Sequence, residues 1–349
     1  MGMFFAVLLT WVATTGVTFF SKISNLGGKL ILAVTTCFIV FAIIGFFLGH
    51  PSETHFTADN VVPKFDTAYF STFSWLVLSV SGAEIAGTYM KNMKNPKKDF
   101  PRAVCISTLL IAGAYVIGSI AVLLVASPEI IQEAGVKDAA YLMFRLLGED
   151  YGLNGQIFLR IYATFQVVQS VASHIIWMES PIRALFSEVP EGTFPKVFTK
   201  QAPDGTLKNA LWIQCVVVLF LIAVPLFGMK GLDDFFMFIT NLSALSCVPA
   251  YGILSLAYFV YRFKKDRPET NFVAFKSNTF ALVLAGIAIG LCVISYVGAG
   301  LDYFVGAEST AEAVKNMLST YGGPVFLIFA GLMLRKWSLA HYSKKAVKG

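Results

Sequence analysis

Charged residues are scarce in this chain of 349 residues: Asp, Glu, Lys and Arg make up 14% of it, whereas soluble domains contain about 25%. Apolar residues make up 56%. This balance excludes an ordinary soluble domain and predicts a protein that crosses a membrane several times. The formal net charge is only +6, so we expect no nucleic acid as a partner and expect membrane lipid instead.

The short motifs of common catalytic, nucleotide and metal sites are also missing. The sequence contains no GxxxxGK[ST], HExxH or GxSxG pattern, its four His residues are scattered, and its five Cys residues show no CxxC spacing. An enzyme would need a nucleophile, base or metal set that converges, and none lies at a useful spacing. We therefore expect no enzyme, no catalytic residue, no metal and no cofactor.

Nine apolar segments are long enough to cross a bilayer as helices, which takes about 20 residues each. They cover 3–20, 24–49, 68–90, 103–126, 155–186, 208–228, 233–262, 279–299 and 322–340. Short amphipathic helices are expected in the loops 127–154 and 300–321, and one short helix between turns in 187–207. The prediction is an all-α membrane protein that forms a single helical bundle over residues 1–349.

Basic residues mark one side of this bundle. Twenty Lys and Arg residues fall in loops or tails on that side and five on the other, while Lys29 and Arg160 lie inside spans. Because basic loops stay in the cytoplasm, the C-terminus is predicted to be cytoplasmic and the N-terminus external. An uncharged first span is a poor start for that insertion, so we expect further spans before Met1. The alternative is that segment 3–20 inserts unaided.

The third span contains two residues that are costly in a membrane helix. Gly82 weakens a helix by about 1 kcal/mol, and Glu84 costs several kcal/mol unless it is paired or hydrated. Either the stretch 79–103 serves a function, or Gly82 mediates a helix contact and Glu84 lies at the interface. Lys29 poses a similar choice: it snorkels to the cytoplasmic face, or it is a buried amine near a transport route.

Polar residues recur along one face of segment 155–186. Spacings of three and four place together Gln166, Gln169 or Ser170, Ser173 and Trp177. His174 lies beside them and can change its charge between about pH 5 and 8. The stripe either faces a wet cavity or joins helices through hydrogen bonds.

Two other polar features are open to local explanations. Glu179 and Arg183, four residues apart, predict an ion pair at the cytoplasmic end of the same segment. Segment 233–262 contains Pro249, which frees a backbone carbonyl, within a run of small polar residues and Tyr251. That run is a candidate lining for a cavity.

Several of these residues match a known pattern in order. Gly82-Ala83-Glu84 and the later Asn95-Pro96-Lys97-Lys98-Asp99-Phe100-Pro101-Arg102-Ala103 fit GxE followed by NPxxDxPxA. This pattern resembles the end of the sixth span, and the following loop, of the amino acid–polyamine–organocation superfamily. Residues 180–183 and 16–22 resemble its eighth-span end and fifth-span start. The branch most similar in its motifs is the bacterial glutamate/GABA antiporters.

The resemblance covers essentially the whole chain, but only the fourth to twelfth of the family's twelve spans, and so it implies an N-terminal truncation. It implies a fold of two inverted five-helix repeats. In this chain, residues 1–49 would end the first repeat, 68–262 would form the second, and 279–340 would add two C-terminal helices. The implied location is the bacterial inner membrane, crossed several times.

The implied function is secondary active transport of amino acids or related amines by alternating access, as a permease or exchanger, with proton coupling as one option. The residues implied to bind substrate are Ser79, Val80, Ser81, Gly82, Ala83, Ser173, His174 and Trp177. Glu84 and Lys29 are implied as gating or proton-coupling residues. Ser173 stands where the glutamate/GABA branch has an acid, so glutamate specificity does not follow.

Two other classes of function stay open at this stage. The chain could be an inactive truncated remnant, or a membrane sensor or scaffold that transports nothing. The sequence does not determine which amino acid or amine is bound, whether exchange or proton symport drives transport, or the oligomeric state.

Overall fold

The computed structural model describes residues 2–15, 17–57, 62–187, 189–190, 192–223, 232–264, 266 and 273–346. Within these ranges the chain is helical and contains no strand, which confirms the all-α class. The first six α-helices are α1 Gly2–Ala13, α2 Val17–Phe47, α3 Thr67–Ser79, α4 Pro96–Val125, α5 Pro128–Asp150 and α6 Gly155–Phe186. The others are α7 Lys196–Thr199, α8 Lys208–Ala223, α9 Leu232–Phe263, α10 Asn278–Gly298, α11 Leu301–Val305 and α12 Thr310–Ala346. A 3-10 helix, Ala83–Asn92, lies between α3 and α4.

In the part of the chain that the structure describes, five helices are long and apolar enough to cross a membrane. They are Asn25–Phe47 within α2, Pro96–Val125, Phe235–Phe263 within α9, Asn278–Gly298 and Thr310–Ala340 within α12. The helix α6 has 32 residues but is not among them, because Gln, His and Arg residues lower its hydropathy. The helices α1 and α8 are apolar but shorter. The structure therefore shows a multi-pass membrane protein, and the count of nine spans stays a prediction.

Some predicted boundaries were wrong. Segment 3–20 is not one helix, because α1 ends at Ala13 and residues 17–20 already belong to α2. Segment 68–90 is interrupted after Ser79. Residues 310–321 form the first part of the last long helix instead of a loop. The end of segment 208–228 lies outside the described residues, since α8 is described to Ala223.

Helices are present in both loops, 127–154 and 187–207, as predicted. The first loop contains α5, in which Gly135 adopts φ 66° and divides the helix into two parts. The second contains α7, a single helical turn. At the start of α5, Ser127 is the N-cap and Pro128 the first helical residue, as helix starts favour.

The chain divides into two compact units. Unit 1 comprises Met1–Asn60, Ile106–Met229 and Ser338–Gly349, and unit 2 comprises Val61–Cys105 and Lys230–Trp337. In unit 1, a buried cluster joins α2, the end of α4 and α5: Phe38, Ala42, Ala121, Val125, Ala126, Met143 and Leu147. The helices α2 and α6 also pack closely, because a Cβ on Gly27 would stand 2.2 Å from the Cβ of Ala172.

The last carbonyl groups of α4 have partners in the loop that follows α2. The backbone amides of Glu53 and Thr54 donate to Leu124 and Leu123 at 3.3 Å and 3.2 Å, and the hydroxyl of Thr54 donates to Ala126 at 3.1 Å. The end of a helix leaves carbonyl groups without an intrahelical partner. This loop supplies partners for three of them.

In unit 2, α3 packs against α9 and α10. The indole Nε1 of Trp75 donates to the side-chain oxygen of Asn241 on α9 at 2.6 Å. Gly298 on α10 lies so close to α3 that a Cβ there would stand 2.7 Å from the carbonyl oxygen of Phe70. These contacts fix the position of α3, whose C-terminal end forms part of the candidate site.

Candidate functional site

The third span is interrupted at the glycine that the sequence singled out. The helix α3 ends at Ser79, Val80 follows with φ −88° and ψ 0°, and Gly82 adopts φ 113° and ψ −19° before the 3-10 helix begins at Ala83. Glycine adopts positive φ without the steric conflict that a Cβ creates. The chain therefore changes direction within residues 80–82.

The carbonyl groups at the end of α3 are partly occupied by nearby donors. The backbone amide of Val80 donates to Leu76 at 3.2 Å, and that of Ser81 to Leu78 at 3.2 Å. The hydroxyl of Ser81 also donates to Leu78, at 2.6 Å. A serine that bonds the preceding turn in this way favours the end of a helix over its continuation.

Glu84 lies at the start of the 3-10 helix, and two donors hold its carboxylate. Its Oε2 accepts a hydrogen bond from the backbone amide of Gly82 at 2.9 Å. Its Oε1 accepts one from the hydroxyl of Tyr251 on α9. A carboxylate near the N-terminal end of a helix also interacts favourably with the helix dipole. Both recorded partners are neutral donors.

Tyr251 belongs to a small polar group within unit 2. The hydroxyl of Ser81 and the thiol of Cys247, one helical turn before Tyr251, lie near the Tyr251 hydroxyl. We call Ser81, Gly82, Glu84, Cys247 and Tyr251 the Glu84 cluster. The sequence drew attention to Tyr251 as part of a polar run but did not pair it with Glu84. The signal that could have found it is a tyrosine near Pro249 inside a span.

The NPxxDxPxA motif forms the start of α4. Asn95 accepts a hydrogen bond at its carbonyl from the amide of Asp99 at 2.8 Å, and the carboxylate of Asp99 accepts one from the amide of Asn95 at 3.0 Å. Pro96 is the first residue of the helix, where its missing N–H is not needed. The motif therefore stabilises a helix start directly after the 3-10 helix.

Three residues predicted to bind substrate lie on α6, in unit 1. Ser173 is half-buried, whereas His174 and Trp177 are exposed. The His174 Nδ1 is 2.8 Å from the carbonyl oxygen of Ser170. A carbonyl can only accept, so Nδ1 carries the proton in this contact and Nε2 stays available for another partner. Lys29, on α2 of the same unit, is exposed.

The predicted site residues thus fall into two groups. Residues 79–84 lie in unit 2, where the break and α9 bring Ser81, Gly82 and Glu84 into one cluster with Tyr251. Lys29, Ser173, His174 and Trp177 lie in unit 1. Their roles in binding, gating or proton coupling stay predictions.

The ion pair predicted on α6 is present. Arg183 Nη2 and Glu179 Oε1 are 2.6 Å apart, and the side chains are only 15% and 7% exposed. Among the described residues, no group of three His, Cys, Asp or Glu side chains could hold a metal ion. The pair joins two successive turns of α6. The ionisable carboxylate of the candidate site is that of Glu84, in the Glu84 cluster.

Comparison with known proteins finds one matching family and several similar proteins. The model of the amino acid permease family matches residues 1–331. The chain is 26% identical over 335 residues to the aspartate/glutamate permease AcaP of Lactococcus lactis subsp. cremoris, covering 93% of this chain and 67% of AcaP. It is 24% identical over 341 residues to the inner membrane transporter YjeM of Salmonella typhimurium, covering 92% of this chain and 67% of YjeM.

A glutamate/gamma-aminobutyrate antiporter of Lactococcus lactis subsp. lactis is 24% identical to the chain over 275 residues. The match covers 78% of this chain and 52% of the antiporter. The chain therefore spans about two thirds of AcaP and YjeM and about half of this antiporter.

Proposed function

The chain belongs to the amino acid permease family, a family of transporters and not of enzymes, and from this premise we propose that its substrate meets the break at residues 79–83. In this proposal the chain is a secondary transporter for amino acids or related amines. The observation that carries the proposal is the break itself, between Ser79 and Ala83 around a left-handed Gly82. A broken membrane helix presents two helix ends to a solute.

The two helix ends have opposite polarity. The carbonyl end of α3 carries partial negative charge and attracts an ammonium group, and the amide end of the 3-10 helix carries partial positive charge and attracts a carboxylate. An amino acid has both groups, and an amine has only the first. Residues 79–83 would therefore contact the ammonium and carboxylate groups of an amino acid, or the ammonium group of an amine.

Glu84 serves in this proposal as the gate or proton-linked carboxylate. Its carboxylate already accepts a hydrogen bond from the backbone amide of Gly82 at 2.9 Å. A substrate carboxylate would therefore compete with Glu84 for the amide end of the 3-10 helix. Protonation would turn one of its oxygens into a donor, which would reverse the hydrogen bond with Tyr251 or weaken the one from Gly82. Lys29 is a second candidate for gating or proton coupling.

The proposal also includes residues of unit 1. Ser173, His174 and Trp177 would contact the substrate from α6, and the free Nε2 of His174 offers one hydrogen-bonding position. Transport would proceed by alternating access in a bundle of two inverted repeats, in which residues 1–49 form the end of the first repeat, residues 68–262 form the second, and 279–340 add two more helices. Loop charges support an inner-membrane orientation with a cytoplasmic C-terminus.

Uptake into proteoliposomes tests this proposal. The relatives put aspartate, glutamate and gamma-aminobutyrate first in the panel, followed by neutral and basic amino acids and their decarboxylated amines. We expect saturable uptake of at least one compound, faster when the liposomes are preloaded if the chain is an exchanger. No saturable uptake of any compound by correctly folded protein would favour the alternative, a remnant or a sensor that transports nothing.

A further inference from the structure

Arg262, near the end of α9 in unit 2, is a buried cation that forms no ion pair with any described residue. Only 4% of the residue is exposed. Its Nη2 donates to the backbone carbonyl oxygens of Phe275 at 2.9 Å and Ser277 at 3.1 Å, and its Cζ lies 5.9 Å from the ring centroid of Tyr258. Its Nε has no hydrogen-bond partner. Because a buried charge without an opposite charge is costly, this position favours an anion.

The helix α10 begins beside this guanidinium group. Ser277 is the N-cap of α10, and its hydroxyl accepts a hydrogen bond from the amide of Phe280 at 3.3 Å. The carbonyl of Ser277 accepts from the amide of Ala281 at 3.2 Å and also from Arg262. The first turn of a helix carries partial positive charge and has amides without intrahelical partners. Two positive groups therefore meet here, and helix starts of this kind bind phosphate.

The start of α10 is accessible from outside the protein. An anion can therefore reach it without any movement of the helices. The loop offers two further cations of its own and one acid, which forms no ion pair with Arg262. The exposed polar residues described here are Lys264, Asp266, Lys276, Ser277, Asn278 and Thr279.

The site lies where two membrane-spanning helices end. The span Phe235–Phe263 ends one residue after Arg262, and the span Asn278–Gly298 begins one residue after Ser277. The ends of a span lie at the level of the lipid head groups. Beside the site, Phe263 is 72% exposed and Phe280 is 52% exposed, as expected of side chains that contact acyl chains. The anion that a bilayer supplies at this level is the phosphate of a phospholipid.

We propose that Arg262, Lys276 and the amide end of α10 bind the phosphate group of an anionic phospholipid. Phosphate oxygens accept hydrogen bonds from guanidinium, ammonium and backbone amide groups at once. The loop is predicted to be cytoplasmic, where the leaflet surface is negative. That orientation explains basic residues in the loop, but it does not explain why one of them is buried at a helix start. The proposal does not rest on the transport function, because lipid binding can be measured without flux.

Hydrogen exchange at the start of α10 tests the proposal locally. The full chain in detergent micelles is titrated with phosphatidylglycerol, phosphatidylcholine or inorganic phosphate, and mass spectrometry follows the backbone amides of Asn278 and Thr279. A phosphate that accepts hydrogen bonds from these amides slows their exchange. We expect phosphatidylglycerol to act at a concentration about fivefold or more below that of phosphatidylcholine, whose choline group cancels the charge. Inorganic phosphate at the same concentrations should have no effect.

Three variants then locate the site. Lys276→Gln removes an exposed charge and should raise the half-maximal concentration of phosphatidylglycerol about fivefold. Arg262→Lys keeps the charge but loses the planar fork of donors, and it should also weaken the effect. Lys98→Gln is the matched control, an exposed lysine near the start of α4 on the same predicted side of the membrane, and it should change nothing. The unfolding temperature of each lipid-free variant shows whether it is folded.

Four outcomes would contradict the proposal. Phosphatidylglycerol that leaves the exchange of these amides unchanged would show that no lipid binds here. An equal effect of phosphatidylcholine would show that net charge plays no part. Slowing by inorganic phosphate at equal concentrations would identify a free anion, and not a lipid, as the ligand. A loss in Lys98→Gln as large as that in Lys276→Gln would mean that any basic loop attracts the lipid.

Discussion

Gly82 and Glu84 act together at the end of α3. The positive φ of Gly82 turns the chain, and the turn brings the backbone amide of Gly82 to the carboxylate of Glu84. The carboxylate of Glu84 also accepts a hydrogen bond from the hydroxyl of Tyr251 on α9. Three residues therefore connect the break, the 3-10 helix and α9, and a change in any of them should affect the other two.

Replacing Gly82 with alanine tests the turn. A Cβ at the φ of 113° that Gly82 adopts is strained whatever space surrounds it, and left-handed backbone costs other residues about 1–2 kcal/mol. We expect Gly82→Ala to lower the unfolding temperature of the purified protein. Gly113→Ala is the control, because it lies inside α4 with nothing within 4 Å of its Cβ position. Equal unfolding temperatures for the two variants would contradict this interpretation.

Replacing Tyr251 with phenylalanine removes one donor from Glu84 while keeping the ring. A hydrogen bond to a charged group contributes about 1.5–3 kcal/mol, and part of that is regained from water because Glu84 is exposed. We expect a modest loss of stability and, in a transport assay, a changed pH profile. Tyr115→Phe, at an exposed position on α4, serves as the control. If stability and the pH profile change no more than in the control, the hydrogen bond between Tyr251 and Glu84 contributes to neither.

Helix boundaries show what the sequence could and could not predict. A glycine and an acid inside an apolar run marked the position of the break, although the local sequence left a helix contact by Gly82 as an alternative. The partner of Glu84 was not predictable, because Tyr251 lies 167 residues away in the chain and a tyrosine in a span is unremarkable by itself. The early start of α12 was missed although Ser309 and Glu312 form a helix cap, with the amide of Glu312 donating to the hydroxyl of Ser309 at 3.2 Å.

The end of α5 offers a test of electrostatics outside the five spans. Burial raises the pKa of Asp150, with Glu53 and Glu149 acting in the same direction and His50 opposing them. A carboxyl group whose pKa is higher in the folded state stabilises the fold at low pH, and that stability is lost as the pH rises through the folded pKa.

We therefore expect Asp150→Asn to raise the unfolding temperature at pH 7 to 8, with a gain that shrinks towards pH 4. The comparison is with Glu133→Gln, an exposed acid on the same helix. Melting curves of both variants at four or five pH values provide the measurement. A gain that is larger at pH 4 than at pH 8 would show that the sign is wrong.

At the scale of the whole molecule, the family and the class of fold followed from the sequence, and the number of spans stays a prediction. Composition shows that a chain crosses a membrane, but α6 illustrates why spans are hard to count: its 32 residues include Gln, His and Arg side chains, which lower its hydropathy. The orientation rests on loop charge and stays a prediction.

Cysteine labelling tests that orientation. In a variant whose five cysteines are replaced by alanine, Glu133→Cys on α5 should react with a membrane-impermeant maleimide in intact cells, since this loop is predicted to be external. Lys200→Cys, in the loop after α7, should react only after the cells are permeabilised. Both positions are exposed. The reverse pattern of labelling would overturn the predicted orientation.

The most direct test of the account is the pH dependence of uptake by Glu84→Gln. Glutamine keeps the size of the side chain but cannot gain or lose a proton. With the best substrate from the proteoliposome panel, initial rates are measured between pH 5 and 8 for the original chain, for Glu84→Gln and for the control Glu133→Gln. We predict that Glu84→Gln transports more slowly or with a flatter pH profile, while the control matches the original chain. Rates for Glu84→Gln that equal those of the original chain at every pH would contradict the central claim.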